Sequence, residues 1–405
     1  MPDVSFSSNR LALLSHSDLA GAGRCGEGLA LQQARDGRRI LWIAHERAPF
    51  DCTAVDVSDP RRPAVVTQMR LPHDKVRSNC LALVGDLLLV AYQTSAWGLP
   101  HAGLGLYDIA VPESPRRVAF FDTSGAQSKG VHYVWCVDGR YAHISTGAAD
   151  FAPSHPLDDQ FYMIVDIASP TQPREAGRWW LPGTSVGDAA PPPVRHPTLD
   201  YGFRPHNTNV YPQRPDRAYM GYLDAGIMIL DVSNVAHPAP IARFDHHPPL
   251  GGFSHTAVPL FSRNLLVTTD EAVKEGATDW PKLSWVLDIS HERNPISIST
   301  LPLPPVEGYR GKPGRYGAHN LHENQPVPTA WRSDDYIVGA YFAGGVRVHD
   351  VRNPFQPREI GSFVPIVPGN PGGACQMNDV YADERGLLYA VDRATGGLYI
   401  LEMQL

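Results

Sequence analysis

Short apolar runs recur along the whole chain, and turns rich in Gly, Pro, Asp and Ser separate them. Val, Ile, Leu and aromatic residues dominate these runs, which is the composition of β-strands. No segment keeps the 3.6-residue hydrophobic period of an amphipathic helix over several turns. The pattern therefore predicts an all-β protein built from many short strands.

Six of the runs share one ending, in which an apolar stretch is followed by Asp, an apolar residue and usually a nearby Pro. We expect each Asp to cap the following turn by accepting backbone N–H groups, and the Pro to stop the strand. A seventh, degenerate copy is GLYILEM (397–403), with Glu402 in the acidic place. The six endings are TAVDVSDP (53–60), GLYDIAVP (105–112), MIVDIASP (163–170), MILDVSNV (228–235), WVLDISHE (285–292) and VRVHDVRNP (346–354).

Further strand-like runs precede and follow each ending, which gives about four strands in a repeat of roughly 50–75 residues. This period predicts a seven-bladed β-propeller that occupies residues 1–405 as one domain. Residues 8–16 resemble an outer strand, and we expect them to complete the last blade and close the ring. The predicted blades are approximately 20–72, 73–125, 126–183, 200–248, 249–303, 314–365 and 370–405 plus 8–16.

The repeated endings resemble those of the LVIVD-repeat family, whose repeats carry a strand–Asp–Val–Ser–Asp/Asn–Pro signature. The resemblance extends over nearly the whole chain. It implies the propeller architecture but no particular reaction, because a fold does not fix a function.

One position in each repeat, at the start of the predicted innermost strand, carries a polar residue. Innermost strands line the channel of a propeller, so residues in register at this position form a ring around its axis. Four consecutive repeats place His there, and the other three place Glu or Asn. The ring positions are Glu27, Asn79, His132, His206, His255, His319 and Asn378.

Four converging imidazoles suit borderline metals such as Fe(II), Cu, Zn or Ni. A single histidine at such a place is more often an ordinary polar residue, but four in register favour a site. We predict a mononuclear metal held by His132, His206, His255 and His319, with Fe(II) preferred and Cu or Zn as alternatives. Carboxylates and amides orient ligating imidazoles, and the residues suited to this are Glu27, Asn79, Asn207, Asn320 and Asn378.

This plan of four histidines on a propeller is similar to that of the carotenoid cleavage oxygenases, which hold Fe(II) with four histidines and have Glu residues behind them. None of that family's sequence motifs is present, so the resemblance implies only a ligand role for the four histidines. Copper propellers with His ligands, such as the selenium-binding-protein type of methanethiol oxidase, are a second similar plan.

Other polar residues fall at the ends of the next strands, where they would either face the channel or cap turns. We expect Glu27, Asp392 and Arg393 to be catalytic, with Arg393 suited to a substrate carboxylate. The remaining candidates for this second tier are His45, Tyr92, Asp224, Asp270, Glu271 and Tyr341.

Two features of the chain interrupt the regular repeat. The insertions 184–205 and 304–318 are interpreted either as lids over the channel or as plain surface loops. His322 lies three residues after His319, and on a strand these two side chains point to opposite faces. We therefore expect His322 to stay outside the metal site, and Glu323 to be a loop residue.

The composition of the chain limits which classes of binding partner and which cellular compartment are expected. The net charge of −7 and the absence of long basic runs argue against nucleic acid or an anionic membrane surface. Five scattered cysteines indicate reduced thiols and a cytoplasmic location. No signal peptide is evident, and no apolar run approaches the length of about 18 residues that a membrane span needs.

These observations favour a metal-dependent oxygenase or oxidase that acts on a small molecule, with O₂ as a possible co-substrate. The alternatives are a metal-dependent lyase or hydrolase, and a non-catalytic LVIVD-repeat propeller that serves as a binding or scaffold protein. The oligomeric state and the substrate class are left open by the sequence.

Overall fold

Strands provide nearly all the regular structure of the chain. A computed structural model describes residues 4–8, 10–305, 311 and 313–405. Over these ranges the chain forms 28 strands in six hydrogen-bonded sheets, and its helical segments are three short 3₁₀ turns. The turns are Phe261–Arg263, Glu275–Ala277 and Pro371–Gly373.

Two N-terminal strands, β1 (Val4–Ser7) and β2 (Leu11–Ser17), precede the first blade. The first two blades share one sheet, because a single backbone pair between His45 and Ser78 joins them. Their strands are β3 (Cys25–Gln33), β4 (Arg39–His45), β5 (Phe50–Asp56), β6 (Ala64–Arg70), β7 (Val76–Val84), β8 (Leu87–Thr94), β9 (Gly103–Asp108) and β10 (Arg116–Asp122).

The next three blades are separate four-stranded antiparallel sheets in which the strands follow sequence order. The third is β11 (Val131–Trp135), β12 (Tyr141–Thr146), β13 (Phe161–Asp166) and β14 (Arg174–Trp179). The fourth is β15 (Thr208–Tyr211), β16 (Arg214–Gly221), β17 (Ile227–Asp231) and β18 (Ala239–Phe244). The fifth is β19 (Ser254–Leu260), β20 (Leu265–Asp270), β21 (Ser284–Asp288) and β22 (Ile296–Thr300).

The last two blades take their outermost strands from the N-terminus. Blade six contains β23 (Tyr336–Ala340), β24 (Val346–Asp350) and β25 (Arg358–Pro365); blade seven contains β26 (Met377–Ala382), β27 (Leu387–Asp392) and β28 (Gly397–Met403). Strand β2 pairs with β28, with Leu11 opposite Met403, so the predicted closure of the last blade is confirmed. Strand β1 pairs with β25, an addition that the sequence did not indicate.

The repeated aspartates behave as the sequence predicts. In all six endings one carboxylate oxygen accepts the backbone N–H two residues later, at 2.8–3.0 Å. Each bond closes the turn that follows the strand on which the aspartate lies. The six residues are Asp56, Asp108, Asp166, Asp231, Asp288 and Asp350.

Apolar faces of neighbouring blades pack against one another. Tyr162 and Ile164 of β13, for example, are fully buried in one cluster with Met220 and Leu230 of the fourth blade. Burial of a side chain of this size stabilises the fold by about 1.5–3 kcal/mol. The blades therefore hold one another in place and fix the position of their innermost strands around the channel.

The backbone aims the ring residues inward by a repeated irregularity. The pairing register between the first two strands of a blade breaks at five of the seven predicted ring positions, which are Glu27, Asn79, His132, His255 and Asn378. A β-bulge leaves its extra residue without a cross-strand partner and re-aims its side chain. The bulges thus turn these side chains away from the sheets and into the channel.

Glycine permits the close approach of blades beside the ring. A Cβ atom at Gly28, next to Glu27, would lie 2.5 Å from the backbone nitrogen of Leu81. A Cβ atom at Gly221 would collide with the carbonyl of His255. Larger residues at these two positions would push the innermost strands apart and widen the ring.

Candidate metal centre

The four histidines of the ring converge at the axis of the propeller. His132 Nε2 and His206 Nε2 lie 2.7 Å apart. The ring centroids of His206 and His255 are 3.8 Å apart, and those of His255 and His319 are 4.7 Å apart. The structure therefore brings together four side chains from four consecutive blades.

Each imidazole is fixed through its Nδ1 atom. The four partners are Gln93 Oε1 at 2.9 Å from His132, Asn207 Oδ1 at 2.9 Å from His206, Thr256 Oγ1 at 2.7 Å from His255 and the Asn378 carbonyl at 2.6 Å from His319. A carbonyl oxygen can only accept a hydrogen bond, so the proton of His132, His206 and His319 lies on Nδ1, whereas the Thr256 hydroxyl can accept or donate. The Nε2 atoms of these three histidines are then left with free lone pairs that point towards the axis.

This donor set fits a metal ion. Two lone pairs that face each other at 2.7 Å, as those of His132 and His206 do, repel unless they share a proton or both bind one cation that lies to the side of the line joining them. The Nε2 atoms of His255 and His319 are buried and have no hydrogen-bond partner, although buried polar atoms are almost always paired. Ligating histidines commonly donate their second N–H to a protein oxygen in this way.

Two carboxylates flank the histidines. Glu27 approaches the Nε2 atoms of His132, His255 and His319 at 3.7–3.8 Å. Glu271 approaches those of His255 and His319 at 3.6–3.7 Å, and it also forms an ion pair of 2.6 Å with Arg315. Both carboxylates supply negative charge and oxygen donors beside the nitrogen ligands.

Burial keeps the imidazoles neutral. Loss of hydration lowers the pKa of His132, His255 and His319, and it lowers that of His206 to about 4. A metal binds only the neutral imidazole. The ring is therefore in the ligating protonation state at neutral pH.

A cavity of about 530 Å³ opens over the ring, a size usual for small-molecule sites. Its floor includes Glu27, His132, His206 and Glu271. Arg393 also lines this cavity, where its Nη2 lies 3.2 Å from Glu46 Oε1. The structure thus places the predicted Arg393 beside the ring, together with Glu271 from the second tier.

Asp392 requires a correction, because the sequence suggested a catalytic role. Its carboxylate accepts the backbone N–H groups of Gln376, Ala394 and Gly396 and is fully buried. It caps the turn after β27 and does not line the cavity. An acid that follows a strand is compatible with either role, and here turn capping prevails.

The other second-tier candidates also lie in the walls of the blades. His45 contacts Thr53, Tyr92 contacts Asp51 and Tyr341 contacts Ser284. Asp224 accepts the backbone N–H groups of Tyr201 and Gly202, and Asp270 contacts His246 and Trp285. None of these five residues lines the cavity over the ring.

The predicted amides surround the ring in different ways. Asn207 orients His206 directly, whereas Asn378 orients His319 through its backbone carbonyl. Asn79 donates to the His132 carbonyl, and Asn320 donates to the Asn378 carbonyl. Gln93 and Thr256, which orient the other two imidazoles, were not predicted, although Thr256 follows directly after His255 in the chain.

Glu323 also requires a correction, since it was expected to be an ordinary loop residue. Its Oε1 accepts from Asn207 Nδ2 at 2.8 Å, Asn209 Nδ2 at 3.0 Å and the Tyr133 hydroxyl at 3.0 Å. Burial raises the pKa of this carboxyl group. Because Asn207 in turn holds His206, Glu323 positions a ring histidine through one intermediate side chain.

His322 stays outside the ring, as predicted. Its Nδ1 accepts the backbone N–H of Ala382 at 3.1 Å, and its Nε2 donates to the Trp331 carbonyl at 2.7 Å. Both bonds require the neutral imidazole. The bond to Ala382 ties an irregular segment of blade six to blade seven, and the bond to Trp331 lies within that segment. The side chain is buried and structural.

Replacing His322 with glutamine is expected to weaken the dependence of stability on acid pH. Burial lowers the pKa of His322 from 6.5 to about 4, so between these values the unfolded chain binds more protons than the folded one. Acidification from pH 7 to pH 5 should therefore destabilise the wild type through this residue by about 2 kcal/mol.

Urea unfolding at the two pH values measures this difference, and His322→Gln should lose correspondingly less stability. The exposed His237, replaced by glutamine, is the matched control and should keep the wild-type pH dependence. A wild-type pH dependence in His322→Gln would contradict the assignment.

The two long insertions differ in how much of them the structure describes. Near the end of the first, Arg204 lines the cavity and donates to the Leu157 carbonyl. In the second, 306–310 and 312 lie outside the described residues, so its lid interpretation is not assessed over that part. Arg315, near its end, reaches Glu271.

Comparison with known proteins supports the architecture. Residues 216–246 match the LVIVD repeat. Two solved structures are similar over most of their length. A protein from Lactobacillus plantarum has a TM-score of 0.56 and 10% identity, covering 83% of this chain and 84% of its own. The β-propeller domain of Cps50 (Swd1) from Myceliophteria thermophila has a TM-score of 0.51 and 12% identity, covering 100% of both chains.

This chain is a β-propeller that contains one match to the LVIVD repeat. At such low identity the two structural similarities show the fold and say nothing about its chemistry. No curated protein matches its sequence. Among the described residues, no helix is long and apolar enough to cross a membrane.

Proposed function

We propose that this propeller is a mononuclear non-haem iron oxygenase or oxidase that acts on a small organic molecule in its axial cavity, with copper as the alternative metal. The observation that carries the proposal is the orientation of four imidazoles, whose Nδ1 atoms are all tied to protein oxygens and whose Nε2 atoms converge. When bound, the metal supplies a Lewis acid and a binding place for dioxygen.

The number of histidines favours iron or copper over zinc. Zinc in catalytic sites is usually held by three protein ligands and keeps its fourth position open. Four histidines would close a tetrahedral zinc site, whereas a metal with a higher coordination number keeps positions for substrate and dioxygen. His132 and His206, which line the cavity, lie on the side from which a substrate enters.

The surrounding residues serve the site by charge and orientation. Glu27 and Glu271 balance the charge of a divalent cation, and Arg315 holds Glu271 in place through its 2.6 Å ion pair. Gln93, which fixes His132, is itself held by Arg77 at 2.6 Å. These contacts keep the ring rigid while the cavity above it stays open to small molecules.

A metal-dependent hydrolase or lyase is the second candidate. Glu27 and Glu271 lie within 3.8 Å of the ligating nitrogens, where a carboxylate can accept a proton from a substrate or a water molecule. This chemistry would be supported by a site that binds zinc in preference to iron and copper.

Loading the protein with Fe(II) without oxygen and then adding nitric oxide tests the proposal. Nitric oxide is a stable substitute for dioxygen, and we expect one equivalent to bind with the half-integer-spin EPR signal of a mononuclear iron nitrosyl. The same treatment of His255→Ala is the control and should give no such signal. A wild type that retains iron but binds no nitric oxide would contradict the oxygenase and favour the second candidate.

A further inference from the structure

The lining of the axial cavity has the opposite charge to the protein as a whole. The chain carries a net charge of −7, yet the cavity is lined by seven arginine and lysine side chains against five carboxylates. The lining therefore has an excess of two positive charges, which favours anions over cations in the cavity.

Arg393 has unused hydrogen-bonding capacity beside the ring. A guanidinium has five N–H donors, but the ionic contact of Arg393 is the 3.2 Å approach of Nη2 to Glu46, and its buried Nη1 has no partner. Arg77 and Arg315, by contrast, form ion pairs of 2.6 Å with Glu46 and Glu271. Arg393 therefore has donors left for a ligand carboxylate.

Aromatic surface lies next to these cations. Phe342 lies near the guanidinium groups of both Arg315 and Arg393, whose carbons are 5.3 and 5.7 Å from its ring centroid. The same ring stacks on His319 at 4.4 Å, and Phe253 lines the cavity near His206. Phe342 therefore fixes both guanidinium groups relative to the histidine ring, and Phe253 offers an apolar contact for an organic group.

We propose that the cavity binds a small organic carboxylate, with its carboxylate on Arg393 and its carbon skeleton against Phe253. This inference names the substrate class of the proposed function and rests on the same cavity. It requires no metal for the anion contact itself, because Arg393 supplies the charge and a planar fork of donors that matches a carboxylate.

Binding of benzoate, compared with the neutral isostere benzamide, tests this proposal by calorimetry. Benzoate should bind at least about tenfold more tightly than benzamide, and Arg393→Gln should remove most of that preference. Arg393→Lys, which keeps the charge but not the fork, should fall between them. Arg214→Gln is the matched control, because Arg214 pairs with Glu292 away from this cavity and should bind benzoate normally.

Measuring metal content and benzoate binding in the same samples separates the two proposals. If the preference for benzoate persists after a chelator has removed the metal, the carboxylate site is supported independently of the metal centre. If benzoate and benzamide bind equally, or Arg393→Gln keeps the preference, the carboxylate site is overturned even when the metal is retained. Inorganic phosphate is a further test. If it competes with benzoate, depends on Arg393 and binds more tightly than benzoate, the carboxylate assignment is overturned.

Discussion

His319→Ala is expected to reduce the metal affinity of the protein by more than about a hundredfold, while His322→Gln leaves it nearly unchanged. His319 Nε2 is buried and unpartnered among the converging nitrogens, whereas both nitrogens of His322 are used by backbone groups. Changes to residues that only orient ligands already cost about 10–100-fold in affinity, so loss of a ligand should cost more.

The two substitutions form a closely matched pair, because both residues are buried histidines three positions apart. Elemental analysis after equilibration with limiting Fe(II), with folding checked by circular dichroism, measures the difference. Equal retention of metal by the two variants would remove His319 from the site. Loss of metal from His322→Gln alone would place the site elsewhere.

Glu323→Ala is expected to destabilise the protein by about 4 kcal/mol, the largest effect on stability that we predict away from the apolar core. The change removes the acceptor shared by Tyr133, Asn207 and Asn209. These donors keep only second bonds of 3.1–3.4 Å, and a poorly satisfied buried donor costs about 1–3 kcal/mol. Metal affinity should also fall by about tenfold or more, because Asn207 no longer holds His206 in one orientation.

Urea unfolding and metal titration of Glu323→Ala and Glu323→Gln measure both effects. Glutamine keeps one acceptor oxygen, so its losses should be smaller than those of alanine. The exposed Glu402 provides the control, since Glu402→Ala should change stability by less than about 0.5 kcal/mol. A loss below about 1 kcal/mol in Glu323→Ala would show that the network around Glu323 is not needed.

The fold could be predicted from the sequence because the same local interactions recur in the repeats. An aspartate such as Asp56 or Asp231 caps the turn after the third strand, and this bond depends only on neighbouring residues. Closure by β2 could also be predicted, because residues 8–16 resemble an outer strand. The pairing of β1 with β25 depends on a contact between segments distant in sequence. No local sequence pattern predicts it.

The histidine ring could be predicted for the same reason, since its members occupy the equivalent position in consecutive repeats. Other residues near the ring come from the ends of other strands and from loops, whose lengths differ between blades. These residues, which the repeat pattern does not predict, are Gln93, Glu46 and Arg315. Glu323 looked like a loop residue because its hydrogen-bond partners lie in blades three and four, more than 100 positions earlier. Such contacts depend on the assembled ring and not on the repeat.

The metal content of the wild-type protein tests the central claim most directly. Protein purified without added metal, and protein reconstituted with Fe(II) and then freed of unbound ions, should be compared by elemental analysis. The four converging imidazoles predict about one equivalent of a single transition metal per chain after reconstitution. A folded wild type that retains no iron, copper or zinc under these conditions would contradict the metal centre and leave a non-catalytic propeller.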